Sequence, residues 1–270
     1  MISCLVNGEL TSYVDARDRG LHYGDGLFET IGIVHGQPRF WQEHVDRLGK
    51  DCERLGLTLP PQEVLLREVH TASAGRILCV VKIIVTRGVG GRGYQPDDHG
   101  ACTRLVAAYP WPADIDEQWE SGVSARICKL RMGIQPALGG MKHLNRLEQV
   151  LASQELHGAD VDTGILLDHD DQVICALSGN LFLVGGTQML TPRLDRCGVR
   201  GVMRGAILRQ FKSRCELRRV TPDMLLEADE VFLCNAVRGI VPVVNIDAHQ
   251  WPIGPVTREL QQWLTGVMPL

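Results

Sequence analysis

The segment Gly139-Gly140-Met141-Lys142-His143-Leu144-Asn145-Arg146-Leu147-Glu148-Gln149 places one lysine between a flexible glycine pair and an apolar repeat. Leu144, Leu147 and Leu151 recur at helical spacing, so the pattern predicts an amphipathic helix from about His143 to Leu156. Lys142 then stands just ahead of that helix. An amine so placed can reach into a cleft, where desolvation lowers its pKa and makes it a nucleophile. By itself the pattern reads more readily as a solvated lysine.

Around this segment the chain reads as mixed α and β. Ile2 to Val6 runs into Asn7-Gly8, a two-residue hairpin signal, and Phe28 to Val34 meets a second one at His35-Gly36. Val45, Leu48, Cys52 and Leu55 mark an amphipathic helix that Gly56 and Pro60 end. Pro61 to His70 predicts another helix, and Arg76 to Thr86 and Thr103 to Tyr109 predict strands. In Tyr109-Pro110-Trp111-Pro112 two prolines favour an extended connection. The expected organisation is an N-terminal α/β domain over 1–108, a Pro-rich linker over 109–118 and a C-terminal domain over 119–270. Within the last, strands are expected near 123–127, 164–167, 180–184 and 230–234, and a helix over about 202–213. The fold class is α+β with two mixed domains.

Composition narrows the function. The 270 residues carry 28 Lys and Arg against 32 Asp and Glu, a net charge of −4, so nothing favours a nucleic-acid partner. At 44% apolar and 22% charged, the chain is neither disordered nor fibrous. No apolar run is long enough for a membrane helix, and the N-terminus lacks a signal-peptide pattern, so no membrane partner and a cytoplasmic location are expected. Nine irregularly spaced cysteines, none two residues from the next, predict reduced thiols and no metal.

Two further glycine-rich stretches flank possible chemistry, Asp18-Arg19-Gly20 with Tyr23-Gly24-Asp25-Gly26, and Thr86-Arg87-Gly88-Val89-Gly90-Gly91-Arg92-Gly93-Tyr94. Either can be a tight turn. A third, Cys197-Gly198-Val199-Arg200-Gly201-Val202-Met203-Arg204, precedes a predicted helix whose first N–H groups can hold a phosphate.

Taken together and in order, these stretches, His44-x-x-Arg47-Leu48, Lys142 to Val150, Ser178-x-Asn180-Leu181-Phe182, Gly201 to Arg204 and Ala228-Asp229-Glu230-x-x-x-Cys234-Asn235 resemble the fold-type IV pyridoxal-phosphate enzymes, which include branched-chain and D-amino-acid aminotransferases. Within that group the set is most similar to the aminodeoxychorismate lyases, chiefly through Lys142-His143-Leu144-Asn145-Arg146 and Gly-Gly-Arg-Gly-Tyr. The resemblance implies two domains with the active site at their junction, the C-terminal one anchoring pyridoxal 5′-phosphate. It implies a small-molecule substrate and a homodimer. It makes Lys142 the catalytic lysine bonded covalently to the cofactor. Arg47, Gly201, Val202, Met203, Asn235, Ala236 and Cys175 become cofactor-binding, and Arg92, Tyr94 and Phe28 substrate-binding. The implied reaction turns 4-amino-4-deoxychorismate into 4-aminobenzoate and pyruvate. The alternatives are transamination of D- or branched-chain amino acids, and a catalytically silent homologue.

One position departs from the family. Its members carry a glutamate at the pyridine nitrogen, five residues before the Asn of Ser-x-Asn. Counting back from Asn180 gives Cys175. A thiol is a weak donor and does not keep that nitrogen protonated. Asp168 and Asp170 are the neighbouring acids that can stand in. Loss of the carboxylate is compatible with a reaction driven by aromatisation and less so with transamination.

Overall fold

The computed structural model describes residues 1–96 and 101–267. The chain divides into two compact units, one of residues 1–112 with 142–145, the other of 113–141 with 146–267 among the described residues.

The first unit holds β1 (Ser3–Val6), β2 (Glu9–Leu10), α1 (Arg19–Tyr23), β3 (Gly26–Val34), β4 (Gln37–Pro38), α2 (Trp41–Leu55), α3 (Gln62–Ala72), β5 (Leu78–Thr86) and β6 (Thr103–Tyr109). Its strands form one antiparallel sheet in the order β2-β1-β6-β5-β3-β4. Both hairpin signals hold. Asn7 and Gly8, and His35 and Gly36, all have positive φ, as a right-twisted two-residue turn requires. Alternation sorts the two central strands. Leu27, Glu29, Ile31 and Ile33 pair with Val85, Ile83, Val81 and Cys79, and all eight are buried. Phe28, Thr30, Lys82 and Ile84 share the opposite face and are half-buried. Helix α2 lies over the first face, burying Val45, Leu48 and Cys52.

The second unit holds α4 (Ile115–Ser121), β7 (Val123–Met132), α5 (Leu147–Gln154), β8 (Thr163–Asp168), β9 (Val173–Ala176), β10 (Asn180–Gly185), β11 (Gln188–Pro192), α6 (Val202–Gln210), β12 (Cys215–Arg218), α7 (Pro222–Leu226), β13 (Glu230–Asn235), β14 (Gly239–Ile246), β15 (His249–Gln250) and α8 (Pro255–Val267). Its mixed sheet runs β12-β11-β10-β13-β14-β7-β8-β9, with β15 against β14. Val123, Ile165, Leu181, Val231 and Val243 join in one core, and Phe182 stacks on Phe232 with ring centres 4.9 Å apart. All nine cysteines are free thiols.

The predicted helix at His143 does not begin there. Residues 142–145 run extended beside β3, and α5 starts at Leu147. The backbone groups a first helical turn would leave unused are taken by β3: Phe28 N–H donates to Lys142 O (3.0 Å) and Leu144 N–H to Gly26 O (3.0 Å). The apolar spacing at Leu147 and Leu151 therefore marks an exposed face, not a buried one; they are 75% and 52% exposed.

Candidate active site

Lys142 is fixed by its main chain. Besides the two bonds to β3, its N–H donates to Asp51 Oδ2 of α2 (2.9 Å), and His143 bridges to Leu27. Asn145 Nδ2 donates to Gly24 O (3.3 Å). Glycines make this approach possible. A Cβ on Gly24 would lie 2.4 Å from Asn145 Oδ1, and one on Gly26 would lie 2.6 Å from Val85 O and 2.8 Å from a Leu144 methyl. The half-buried Lys142 side chain returns over the sheet, its Nζ 4.0 Å from the centre of the Phe28 ring. Of the predicted residues, the structure thus brings Lys142 and Phe28 together.

Arg47 lies one turn before Asp51 on α2 and grips a buried carboxylate. Its Nε donates to Glu29 Oε1 (2.8 Å), and Nη2 donates to Oε2, which also accepts from His44 Nδ1 (2.6 Å). Burial would raise the Glu29 pKa, but Arg47 and His44 outweigh it and hold the carboxyl down at about 2. Glu29 was not singled out as chemistry in the sequence, and His44 entered only as part of the motif that includes Arg47. The signal was there, since Glu29 is the only charged residue within the apolar run of β3. Burial also pushes the Asp51 carboxyl up, an effect that the Lys142 N–H opposes.

The motifs around Gly20 and Gly88 are mostly ties. Asp18 caps α1 at Gly20 N (2.7 Å) and accepts from Thr86 Oγ1 (2.9 Å). Asp25 accepts from Arg19 (2.9 Å) and Arg87 (2.8 Å). Arg87 also donates to Leu55 O and Gly56 O, closing the C-terminus of α2. Arg19 reaches Gly93 O and Tyr94 O, both at 2.9 Å, and so holds the loop with Arg92 and Tyr94. Both of those side chains are exposed, Tyr94 at 88%, with its ring edge-on to Tyr23.

In the second unit α6 begins at Gly201 with no side chain capping it, leaving the Val202 and Met203 N–H groups for another acceptor. Gly201 N–H donates to Asn180 Oδ1 (3.0 Å), and Asn180 Nδ2 donates to Val199 O (2.8 Å), so Asn180 straps the turn. A Cβ on Gly201 would stand 2.0 Å from that oxygen. Asn235 shapes the next loop: its Oδ1 accepts from Val237 N and Arg238 N, with Ala236 between, and its Nδ2 donates to Ser178 O. Cys175, on β9, is buried with Cys128, Ile174, Leu194 and Cys197. Burial pushes its thiol up to about 12, so it stays S–H. Of the two acids, Asp170 is exposed in an ion pair with Arg196 (2.6 Å). Asp168 is fully buried, with Oδ1 accepting from Asp170 N and Gln172 N.

The model of the amino-transferase class IV family matches residues 26–246. The chain is 37% identical to an aminodeoxychorismate lyase of Vibrio harveyi over 95% of its length and 97% of the relative's. Its fold superposes on a crystal structure of 4-amino-4-deoxychorismate lyase from Pseudomonas aeruginosa with a TM-score of 0.94 and 40% identity, covering 99% of this chain and 100% of that one. It also superposes on the Escherichia coli branched-chain amino acid aminotransferase with a TM-score of 0.87 and 25% identity, covering 98% and 94%. By the family match across most of its length, with Lys142 docked on β3 inside the matched span, the chain belongs to the class IV aminotransferases.

Proposed function

We propose that the protein is a pyridoxal 5′-phosphate-dependent aminodeoxychorismate lyase, releasing 4-aminobenzoate and pyruvate in folate biosynthesis. The observation that carries this reading is the full-length likeness to the Pseudomonas aeruginosa lyase, with Lys142 held through its main chain by Phe28 and Asp51.

The residues fit the cofactor. A phosphate needs several donors, and the start of α6, which no side chain caps, leaves the Val202 and Met203 N–H groups to supply them. Gly201, Val202, Met203, Arg47, Asn235 and Ala236 are the residues that would hold the phosphate, and Lys142 the one that would bond the aldehyde. When bound, the group supplies an electron sink that acidifies the C–H beside the substrate amine. Lys142 Nζ would then take the C4 proton of the substrate as general base. Phe28 shields one side of the amine and keeps water from it. Arg47 is oriented by the paired Glu29, and Glu29, sealed by α2, fixes the helix that carries Asp51. Cys175 offers the cofactor ring a neutral thiol, which favours elimination aided by aromatisation over transamination. Arg92 and Tyr94 are assigned to the substrate side. A homodimer accords with the exposed apolar stripe Leu147, Val150 and Leu151 on α5, and the proposed location is the cytoplasm.

Borohydride reduction followed by peptide mapping tests the lysine: a pyridoxyl adduct is expected on the Lys142 peptide. Incubation with 4-amino-4-deoxychorismate should release pyruvate and 4-aminobenzoate in equal amounts. Keto-acid formation from D-alanine or leucine without pyruvate release from aminodeoxychorismate would replace the lyase by an aminotransferase.

A further inference from the structure

We propose that Asp51 is a positioning residue for Lys142: its carboxylate takes a backbone bond that a regular sheet would keep, and so sets the peptide from which the reactive amine is delivered. This rests on the lyase reading above. Residues 142–144 lie against β3 as a short added strand, with Leu27 opposite His143. That register makes Phe28 and Lys142 a hydrogen-bonded pair, and in a regular antiparallel ladder such a pair exchanges both of its N–H···O bonds. Half of the exchange is made, with Phe28 N–H donating to Lys142 O (3.0 Å). The Lys142 N–H, which the ladder would return to Phe28 O, donates to Asp51 Oδ2 (2.9 Å). The next pair along is altered by backbone alone: Leu144 N–H donates to Gly26 O (3.0 Å), while Gly26 N–H turns to Gly24 O (2.9 Å). At Lys142 a charged side chain from a helix enters the ladder.

That side chain is costly to place. Asp51 is 6% exposed, and Arg54 Nη1 stands 3.9 Å from its other oxygen. A buried carboxylate costs stability unless its lone pairs are used, and an uncharged Asn or Ser could accept the same N–H. What the charge adds is a stronger bond to the donor. The carboxylate is itself held in place. His44, Arg47 and Asp51 fall at i, i+3 and i+7 on one face of α2. His44 and Arg47 both grip Glu29, so the helix is clamped to β3 one turn before Asp51. Burial and the Glu29 charge push the Asp51 carboxyl up, while the Lys142 N–H, Arg47 and Arg54 pull it down. The bond ends on the atom next to the Lys142 Cα, so a shift of Asp51 moves the root of the side chain whose Nζ lies over Phe28. A displacement of about 1 Å in a reacting group costs about a hundredfold in rate. Contacts that the substrate makes elsewhere are untouched by it, so the loss falls on kcat and not on KM.

The test compares Asp51→Leu and Asp51→Asn with wild type. Leucine fills the buried site without an acceptor, and asparagine keeps an oxygen for the Lys142 N–H without the charge. In the cofactor-free proteins, hydrogen exchange at the Lys142 amide, followed by NMR, should speed up about tenfold or more in Asp51→Leu and stay within about threefold of wild type in Asp51→Asn. In the holoenzymes, Asp51→Leu is expected to lower kcat for pyruvate release from 4-amino-4-deoxychorismate about ten- to hundredfold with KM within about threefold. Asp51→Asn should restore kcat to within about fivefold of wild type. The melting temperature of Asp51→Leu should lie within about 5 °C of wild type, because an apolar side chain replaces a buried charge of like size. An unchanged kcat in Asp51→Leu, a loss that Asp51→Asn does not reverse, or a KM that rises as much as kcat falls overturns the assignment. So does a Lys142 amide equally protected in Asp51→Leu and wild type. An Asp51→Leu chain that melts far lower or does not fold makes Asp51 a structural brace and overturns it too. A wild-type holoenzyme that releases no pyruvate overturns the lyase reading, and the exchange of the Lys142 amide then decides on Asp51 separately.

Discussion

A carboxylate sealed from water, as Glu29 is, persists in its charged form only because cations surround it. Its pKa is depressed to about 2 against an ordinary 4.5, so its contribution is present above pH 4.5 and is lost as pH falls toward 2. Urea unfolding of wild type between pH 5 and 2 should lose roughly 3 kcal/mol more than Glu29→Gln over the same window. At pH 7, Glu29→Ala should cost about 3–5 kcal/mol, since it leaves Arg47 near His44 without its buried counter-ion. Gly201→Ala acts differently. The added methyl meets Oδ1 of an Asn180 amide that two hydrogen bonds hold in place, so the turn must open. Affinity for pyridoxal 5′-phosphate, followed by absorbance, is expected to fall about tenfold or more through loss of aligned amides. Cys175→Glu should raise side transaminase activity relative to lyase turnover; an unchanged ratio of the two products would remove the thiol from the argument for elimination.

Elements carry the positions of these residues. Helix α2 brings His44, Arg47 and Asp51 to β3, and Arg87 closes its last turn by donating to Leu55 O and Gly56 O. Arg87→Ala should lower stability by about 1–3 kcal/mol in urea melts, with Asp25 still held by Arg19. The helix itself was legible from Val45, Leu48 and Cys52, because an apolar stripe every three to four residues records which face is buried. So were both hairpins, because Asn7-Gly8 and His35-Gly36 report their own positive φ. Arg47 was legible only through family resemblance; it lies off the apolar stripe, and its partner Glu29 is 18 residues away. The segment after Met141 misled for a physical reason. Leu144 and Leu147 repeat as a helix would, but the choice between helix and extended chain was made by free backbone groups on Gly26 and Phe28, which leave no mark in local periodicity.

At the scale of the whole chain, the first unit is discontinuous: residues 142–145 count with 1–112 although 29 residues of the second unit intervene. A fragment ending at residue 112 would lack the acceptor for Phe28 N–H and the N–H that meets Asp51. Such a fragment should melt well below the full protein, and a synthetic peptide spanning 139–148 should raise its melting temperature. Sedimentation of the full protein should give twice the mass of one chain, and charge substitutions at Leu147 and Leu151 should shift it toward one. The pinning of Lys142 by its own main chain carries a practical corollary. Because the bonds to Phe28 and Asp51 run through its main chain, trimming the residue to alanine deletes the reagent and keeps those bonds. Methylamine or ethylamine supplied in the buffer should then revive part of the turnover, with a dependence on amine size that gauges the vacated channel beside Phe28.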